Sequence, residues 1–202
     1  MFFYALIAAL ILIVFYRFWF LRNPERSIPA GNNIVSPADG KIITVLHFKK
    51  AKMYLNKGMT GKVKIFTKDV AEEGWLVSIF MSPLDVHYNR APISGEIKYV
   101  KHFPGRFRLA NNPKALFENE RSEILIQRND VRIKVIPIAG FFVRRIVSFV
   151  NKKQTVNKGQ RIGLIKLGSQ CCLVMPKTVK LKVSEGDRVY AGTSIIANIG
   201  ER

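Results

Sequence analysis

Val156-Asn-Lys-Gly-Gln-Arg-Ile162 recurs further along the chain as Val183-Ser-Glu-Gly-Asp-Arg-Val189. Each copy reads as a strand end, a glycine-containing turn and the start of a new strand. Ala38-Asp-Gly-Lys-Ile42 and Ile93-Ser-Gly-Glu-Ile97 form a second pair of similar segments. Around these repeats most of the chain is short apolar runs between Gly, Pro and Asn punctuation. The strand candidates are Lys41–Phe48, Lys62–Phe66, Leu76–Met81, Glu96–Lys101, Ile124–Gln127, Val131–Pro137, Phe142–Val150, Arg161–Lys166, Cys171–Met175, Val179–Val183 and Ser194–Ile199. Helical periodicity is weak beyond the N-terminal segment, with Pro113–Arg121 as one short candidate helix.

The expected fold class is mainly β: a compact barrel-like domain of short strands and hairpins, with one N-terminal membrane helix. The hairpin units suit the architecture of biotinyl and lipoyl carrier domains. A carrier places its lysine at a hairpin tip, typically as Met-Lys-Met or Asp-Lys-Ala. No lysine here has those neighbours, so a swinging-arm carrier is set aside.

With 202 residues, 48% hydrophobic and 23% charged, the chain can bury a core and is not a disordered one. Its two cysteines, Cys171 and Cys172, are adjacent. That excludes a disulfide-built scaffold and a paired-CxxC zinc site. Lys and Arg number 33 against 14 Asp and Glu, a net charge of +19. Such a charge predicts polyanionic company: nucleic acid, an anionic membrane or a phosphorylated substrate. The excess is clustered, since neither Lys41–Lys68 nor Val131–Ser184 contains an acid. RNA would suit the charge, but no aromatic-basic signature or helix-turn-helix pattern is present.

Met1–Leu21 is apolar apart from Arg17. As a helix it would rise roughly 32 Å, about one hydrocarbon core. Arg17 lies near its end, where the stem can reach the headgroups. No basic segment precedes the run and no small-x-small site follows it, so a signal peptide fits poorly. Arg17, Arg22 and Arg26 predict a cytoplasmic location for the rest by the positive-inside rule, and reduced thiols with it. Residues 22–33 read as a linker and 34–202 as the β domain.

Three segments carry chemistry. Val35-Ser-Pro-Ala-Asp-Gly-Lys-Ile42 contains Asp39, in what alone reads as a turn. Met81-Ser-Pro-Leu-Asp-Val-His-Tyr-Asn-Arg-Ala-Pro92 holds Asp85 and His87 after an apolar strand. On a continued strand they would share one face, and the carboxylate could orient the imidazole. Leu167-Gly-Ser-Gln-Cys-Cys172 places Gly168-Ser169 between two strand-like runs. A serine there can attack the preceding carbonyl, which glycine leaves open, if a base takes its proton.

Together these segments resemble the phosphatidylserine decarboxylase family, in its short bacterial and archaeal branch. Phe20-Leu-Arg-Asn-Pro-Glu-Arg-Ser-Ile-Pro29, Asn119-Glu-Arg121 and Gly159-Gln-Arg-Ile-Gly-Leu-Ile-Lys-Leu-Gly-Ser169 complete the match, in family order along nearly the whole chain. The resemblance implies a self-processing enzyme. Ser169 attacks the carbonyl of Gly168, the resulting ester is eliminated, and the chain parts into residues 1–168 and 169–202. Ser169 becomes a covalent pyruvoyl group, with no metal and no nucleotide needed. That group would form a Schiff base with the serine amine of phosphatidylserine and act as an electron sink. Carbon dioxide and phosphatidylethanolamine are the products. His87 is the implied general acid that returns a proton to the α-carbon. The base that activates Ser169 is left between His87 with Asp39 and His87 with Asp85.

The implied partners are a phospholipid in an anionic membrane and the chain's own two fragments. No nucleic acid is expected, and a homo-oligomer is compatible with the chain. The sequence departs from the family at Arg90, where longer members carry a second histidine, at Gln170, and at Cys171-Cys172. A non-catalytic membrane-anchored barrel adaptor and an anchored RNA-binding protein are the competing readings; the first predicts an uncut chain and the second a salt-sensitive affinity for RNA.

Overall fold

The computed structural model describes residues 2–49, 52–56, 62–104, 120–139, 145–166 and 169–200. An α-helix, α1 (Phe2–Val14), continues into wider π-type turns over Phe15–Phe20. They close where Leu21 N donates to Tyr16 O at 3.1 Å and Arg22 N to Trp19 O at 3.3 Å. Leu6, Leu10, Ile11, Leu12 and Ile13 are all exposed. A helix apolar all round and exposed among the described residues is compatible with a membrane association. Phe3–Phe20 is long and apolar enough to cross a membrane.

The remainder is β. The strands are β1 (Asn33–Val35), β2 (Gly40–Phe48), β3 (Lys52–Asn56), β4 (Lys62–Phe66), β5 (Gly74–Met81), β6 (Tyr88–Arg90), β7 (Gly95–Phe103) and β8 (Arg121–Arg128). They continue as β9 (Val131–Ala139), β10 (Arg145–Ser148), β11 (Thr155–Val156), β12 (Arg161–Lys166), β13 (Ser169–Pro176), β14 (Val179–Leu181), β15 (Arg188–Val189) and β16 (Ile195–Ile199). The main sheet is antiparallel and curls into a half-barrel in the order β11-β7-β8-β9-β13-β5-β2-β15. Smaller sheets β1-β16-β14, β10-β12-β6 and β3-β4 accompany it. The mainly β, barrel-like expectation therefore holds. The candidate helix does not extend through Arg121, which opens β8; residues 113–119 lie outside the described residues.

The main sheet reads alike from either edge. β2 and β7 both begin at a glycine, and each bulges soon after, between Ile42 and Thr44 and between Ile97 and Tyr99. Ile42 N donates to Asp187 O and Gly186 N to Ile42 O, both at 2.8 Å. In the other half, Ile97 N donates to Gln154 O at 2.8 Å and Lys153 N to Ile97 O at 2.7 Å. The repeated sequence turns share one construction. Gly159 and Gly186 stand at φ +80° and +97°, where a turn of this type needs a residue without Cβ strain. Asn157 N is capped by Gln160 Oε1 at 2.9 Å, and Ser184 N by Asp187 Oδ2 at 2.8 Å.

This pseudo-symmetry locates the critical junction. In one half, β8 and β9 are joined by a tight turn, with Arg128 opposite Val131. Their counterparts β5 and β13 end with Met81 opposite Ser169. The turn there is replaced by residues 82–168, which contain the entire other half. β13 is central and buried on both faces. Cys171, Leu173 and Met175 pack with Ile42, Val77, Ile79 and Val135. Cys172 and Val174 pack with Leu76, Leu125 and Ile138 on the other face. Each such side chain contributes roughly 1.5–3 kcal/mol by burial. Neither cysteine is in a disulfide, and burial pushes the Cys171 thiol up.

Candidate active site

Ser169 is the first residue of β13, placed between Met81 at the end of β5 and Ala139 at the end of β9. The strand starts earlier than the expected Cys171. Leu167 and Gly168 lie outside the described residues. The ladder continues to Pro176 on the β5 side and to Val174 on the β9 side. Residue 169 is thus fixed by sheet register on both flanks.

The segment after β5 folds back beside this point. Met81 is opposite Ser169 at one end, and Ile165 N donates to His87 O at 3.2 Å at the other. Segments 81–87 and 165–169 are therefore pinned together at both ends. Residues 82–87 form a turn and not the strand expected from the sequence. Asp85 N donates to Ser82 O at 3.0 Å, and Ser82 N donates to Asp85 Oδ2 at 2.8 Å. The other Asp85 oxygen, Oδ1, pairs with Arg188. Pro83 and the Asp85 cap explain the turn, because Pro removes a strand donor and Asp supplies a side-chain acceptor.

His87 is fully buried. Its Nδ1 lies 2.8 Å from the carbonyl oxygen of Asp85. A carbonyl only accepts, so Nδ1 carries the proton and Nε2 the lone pair. Nε2 is buried and has no hydrogen-bond partner among the described residues. The Phe20 ring stands over the imidazole with centroids 4.1 Å apart. Burial pushes the His87 pKa down to about 4; the Asp85 carbonyl and carboxylate oppose the shift and Arg22 adds to it. At neutral pH the site holds an uncharged imidazole with an open base, whereas a histidine of ordinary pKa, ~6.5, would be partly protonated there.

Neither candidate carboxylate meets the imidazole through its side chain. Asp39 is buried; its Oδ2 pairs with Arg26 at 2.8 Å, and its Oδ1 accepts from Ala191 N at 2.7 Å. In the pseudo-symmetric half, Ser94 Oγ caps Lys158 N at 2.9 Å in the same way. Half of Asp39 thus does what a serine hydroxyl does elsewhere, and the other half holds Arg26. Arg90 is a second tie. Its guanidinium donates to Gly159 O at 2.9 Å, Asn23 Oδ1 at 2.9 Å and Pro24 O at 3.2 Å.

The remaining histidines each stand against a carboxylate, His47 against Glu73 at 3.0 Å and His102 against the buried Glu120 at 3.4 Å. Sequence reasoning did not find Phe20, Arg22, Arg26 or Arg188 as neighbours of the site. The Phe20-to-Pro29 segment of the family resemblance was the available signal for the first three; Arg188 had none.

The phosphatidylserine decarboxylase family model matches residues 14–197. A Methanocaldococcus jannaschii protein provisionally named archaetidylserine decarboxylase proenzyme is 39% identical over 186 residues, covering 92% of this chain and 90% of that one. A phosphatidylserine decarboxylase proenzyme of Chlorobium phaeobacteroides is 37% identical over 185 residues, 91% of this chain and 79% of that one. A protein of the same name from Syntrophus aciditrophicus is 40% identical over 181 residues, 87% and 76% of the two chains. The chain belongs to the phosphatidylserine decarboxylase family. That membership favours the enzyme over the adaptor and RNA-binding readings.

Proposed function

We propose that the protein is a membrane-anchored proenzyme that cuts itself between Gly168 and Ser169 and then decarboxylates phosphatidylserine to phosphatidylethanolamine. The observation that supports this reading is the pairing of segment 81–87 with residues on both sides of the proposed cut, Met81 opposite Ser169 and His87 O accepting from Ile165 N, together with an imidazole Nε2 that has no partner among the described residues.

In self-cutting, Ser169 Oγ attacks the Gly168 carbonyl as His87 takes the hydroxyl proton at Nε2. The Gly168–Ser169 C–N bond breaks as that proton passes to the Ser169 nitrogen, leaving an ester. Removal of the Ser169 α-proton then expels the Gly168 carboxylate, and the chain parts into residues 1–168 and 169–202. Water replaces the nitrogen at residue 169, which leaves as ammonia. Ladder pairing to β5 and β9 retains the smaller piece after the cut.

A pyruvoyl group derived from Ser169 fits this setting: the backbone at 169 is held on both sides, and the orphaned Nε2 supplies the proton acceptor it requires. When formed, it supplies an electrophilic carbonyl that accepts the electrons left by carbon dioxide. His87 Nε2 takes a proton from the substrate ammonium and returns one to the α-carbon after carbon dioxide leaves. In this way a histidine that is neutral at rest still serves as the final acid. Asp85 orients the imidazole through its backbone carbonyl, with its carboxylate tied up in closing the turn.

The apolar helix anchors the chain, and the basic domain lies on the cytoplasmic face against anionic lipid, where each cation contributes on the order of 1 kcal/mol. The same serine headgroup chemistry serves diacyl and ether-linked lipids. Intact mass of the purified protein, together with labelled carbon dioxide release from phosphatidylserine vesicles, tests the proposal. Two chains meeting at 168/169 and a released label are expected. A single uncut chain that still releases carbon dioxide would overturn it.

A further inference from the structure

We propose that Phe20, the last residue of the anchor helix, is a positioning residue of the decarboxylase site: its ring closes one side of the His87 imidazole, so the anchor forms a wall of the site as well as a tether. This rests on the role given to His87 above.

Phe20 differs from the rest of its helix. Phe18 and Trp19 beside it are 72% and 49% exposed, whereas Phe20 is 0% exposed. Its ring lies 4.1 Å from that of His87 on one side and stacks on Tyr16 at 5.4 Å on the other. The π-type turns over Phe15–Phe20 change the angular spacing of side chains just where the ring must face inward. Immediately after, Arg22 donates to Trp19 O at 2.8 Å and to the carbonyl of Leu84, at the tip of the His87 turn. Leu84 is itself 60% exposed beside the anchor. The helix end therefore grips the 82–87 turn twice, by Phe20 on the imidazole and by Arg22 on the backbone.

An apolar ring against His87 keeps water from its side of the imidazole and favours the neutral form. The charged groups around His87 are Asp85 in its own turn, Arg188 held on Asp85 from β15, and Arg22 from the anchor end. The Asp85 carboxylate favours the protonated form and Arg22 the neutral one, so the dry wall works with the arginine. The arrangement also ties the reacting histidine to the bilayer, because the helix that carries Phe20 is the one that enters it.

The test uses full-length protein in phosphatidylserine vesicles, comparing Phe20→Ala, Phe20→Gln and Phe20→Leu with the parent and with His87→Ala. Carbon dioxide release per cut chain is followed from pH 4.5 to 8. Phe20→Ala should sediment with vesicles like the parent. Its acid limb should move upward by about one pH unit or more, toward the ordinary imidazole range. The activity ratio of variant to parent should then be about twofold or more lower at pH 5 than at pH 8, and about threefold or more lower at pH 4.5. Phe20→Leu should restore most of the parent profile. If Phe20→Ala does not fold, Phe20→Gln, of similar size but polar, should show the same upward shift. A parent-shaped pH profile in the folded Ala or Gln variant, with His87→Ala inactive, would overturn the role of Phe20 alone. Normal decarboxylation by His87→Ala would instead overturn the functional reading on which it rests.

Discussion

The imidazole of His87 donates from Nδ1 to the main-chain oxygen of Asp85 at 2.8 Å, while the Asp85 side chain turns away to Ser82 N and Arg188. An aspartate two residues before a histidine here supplies orientation through its backbone. Its carboxylate acts one step further out, by holding the turn that aims that carbonyl.

Asp85→Ala and Asp85→Asn should therefore differ. The amide oxygen of asparagine can still accept from Ser82 N, so the turn survives without the Arg188 pair. Alanine removes both contacts and leaves Ser82 N without its acceptor. Self-cutting and carbon dioxide release should fall about 10²-fold for Asp85→Ala and clearly less for Asp85→Asn. Gel time courses and labelled carbon dioxide measure the two steps. Equal losses in the two variants would mean that the negative charge itself matters, not the turn.

Ser169→Ala should yield one chain of 202 residues, with no carbonyl at any new terminus and no decarboxylation. The sheet should be unaffected, because Ser169 enters β13 through its backbone ladder with Met81 and Ala139. Mass spectrometry reads the first expectation and circular dichroism the second. A Ser169→Ala protein still cut at 168/169 would remove the nucleophile from the mechanism.

Asp39 can be divided by substitution. Asp39→Ser should preserve the cap on Ala191 N, as Ser94 does for Lys158 N in the other half, and lose only the Arg26 pair. Its cost should be on the order of 1 kcal/mol, since Arg26 retains some access to water. Asp39→Ala loses both and should cost roughly 3 kcal/mol. Urea or thermal unfolding measures this. If both variants unfold alike but neither is cut, the Asp39 carboxylate serves self-cutting directly.

Acid should destabilise the fold through His87. Its pKa is about 4 when folded and ~6.5 when unfolded. Between those values the unfolded chain binds the additional proton. Stability is therefore full above pH ~6.5 and is lost progressively as pH falls toward 4, by at most about 3 kcal/mol. In a Ser169→Ala background, which keeps the chains uncut, His87→Gln should lack this component. Between pH 7 and 4.5 the Tm of the His87 protein should drop roughly 5–10 °C further than that of the Gln variant. Parallel curves would show that His87 is not held neutral.

Much of this molecule was legible in its residues because the signals were local. The apolar run from Met1 to Leu21, with a single arginine, reads as a helix long and apolar enough to cross a membrane. Alternating apolar runs between Gly, Pro and Asn marked most strands, and the Ala38–Ile42 and Ile93–Ile97 pair marked the equivalent starts of β2 and β7 in the two halves of the sheet. Ser169 and His87 could be named as candidates because their neighbours along the chain carry the pattern.

Tertiary structure decided which side chains meet. Nothing local says that residues 82–168 replace a hairpin turn, so that Met81 and Ser169, far apart in sequence, become ladder partners. Local pattern put Asp85 and His87 on one strand face, but Pro83 and the Ser82–Asp85 cap make a turn, and long-range pairing with Arg188 completes it. Asp39 reads as a turn residue and is one, yet its second oxygen is committed by an arginine from the linker. Phe20 reads as one more apolar residue of an anchor, and only the path of the folded domain brings His87 beneath it. Periodicity and turn chemistry act over a few residues, whereas burial of an imidazole and the state of its proton depend on everything packed around it.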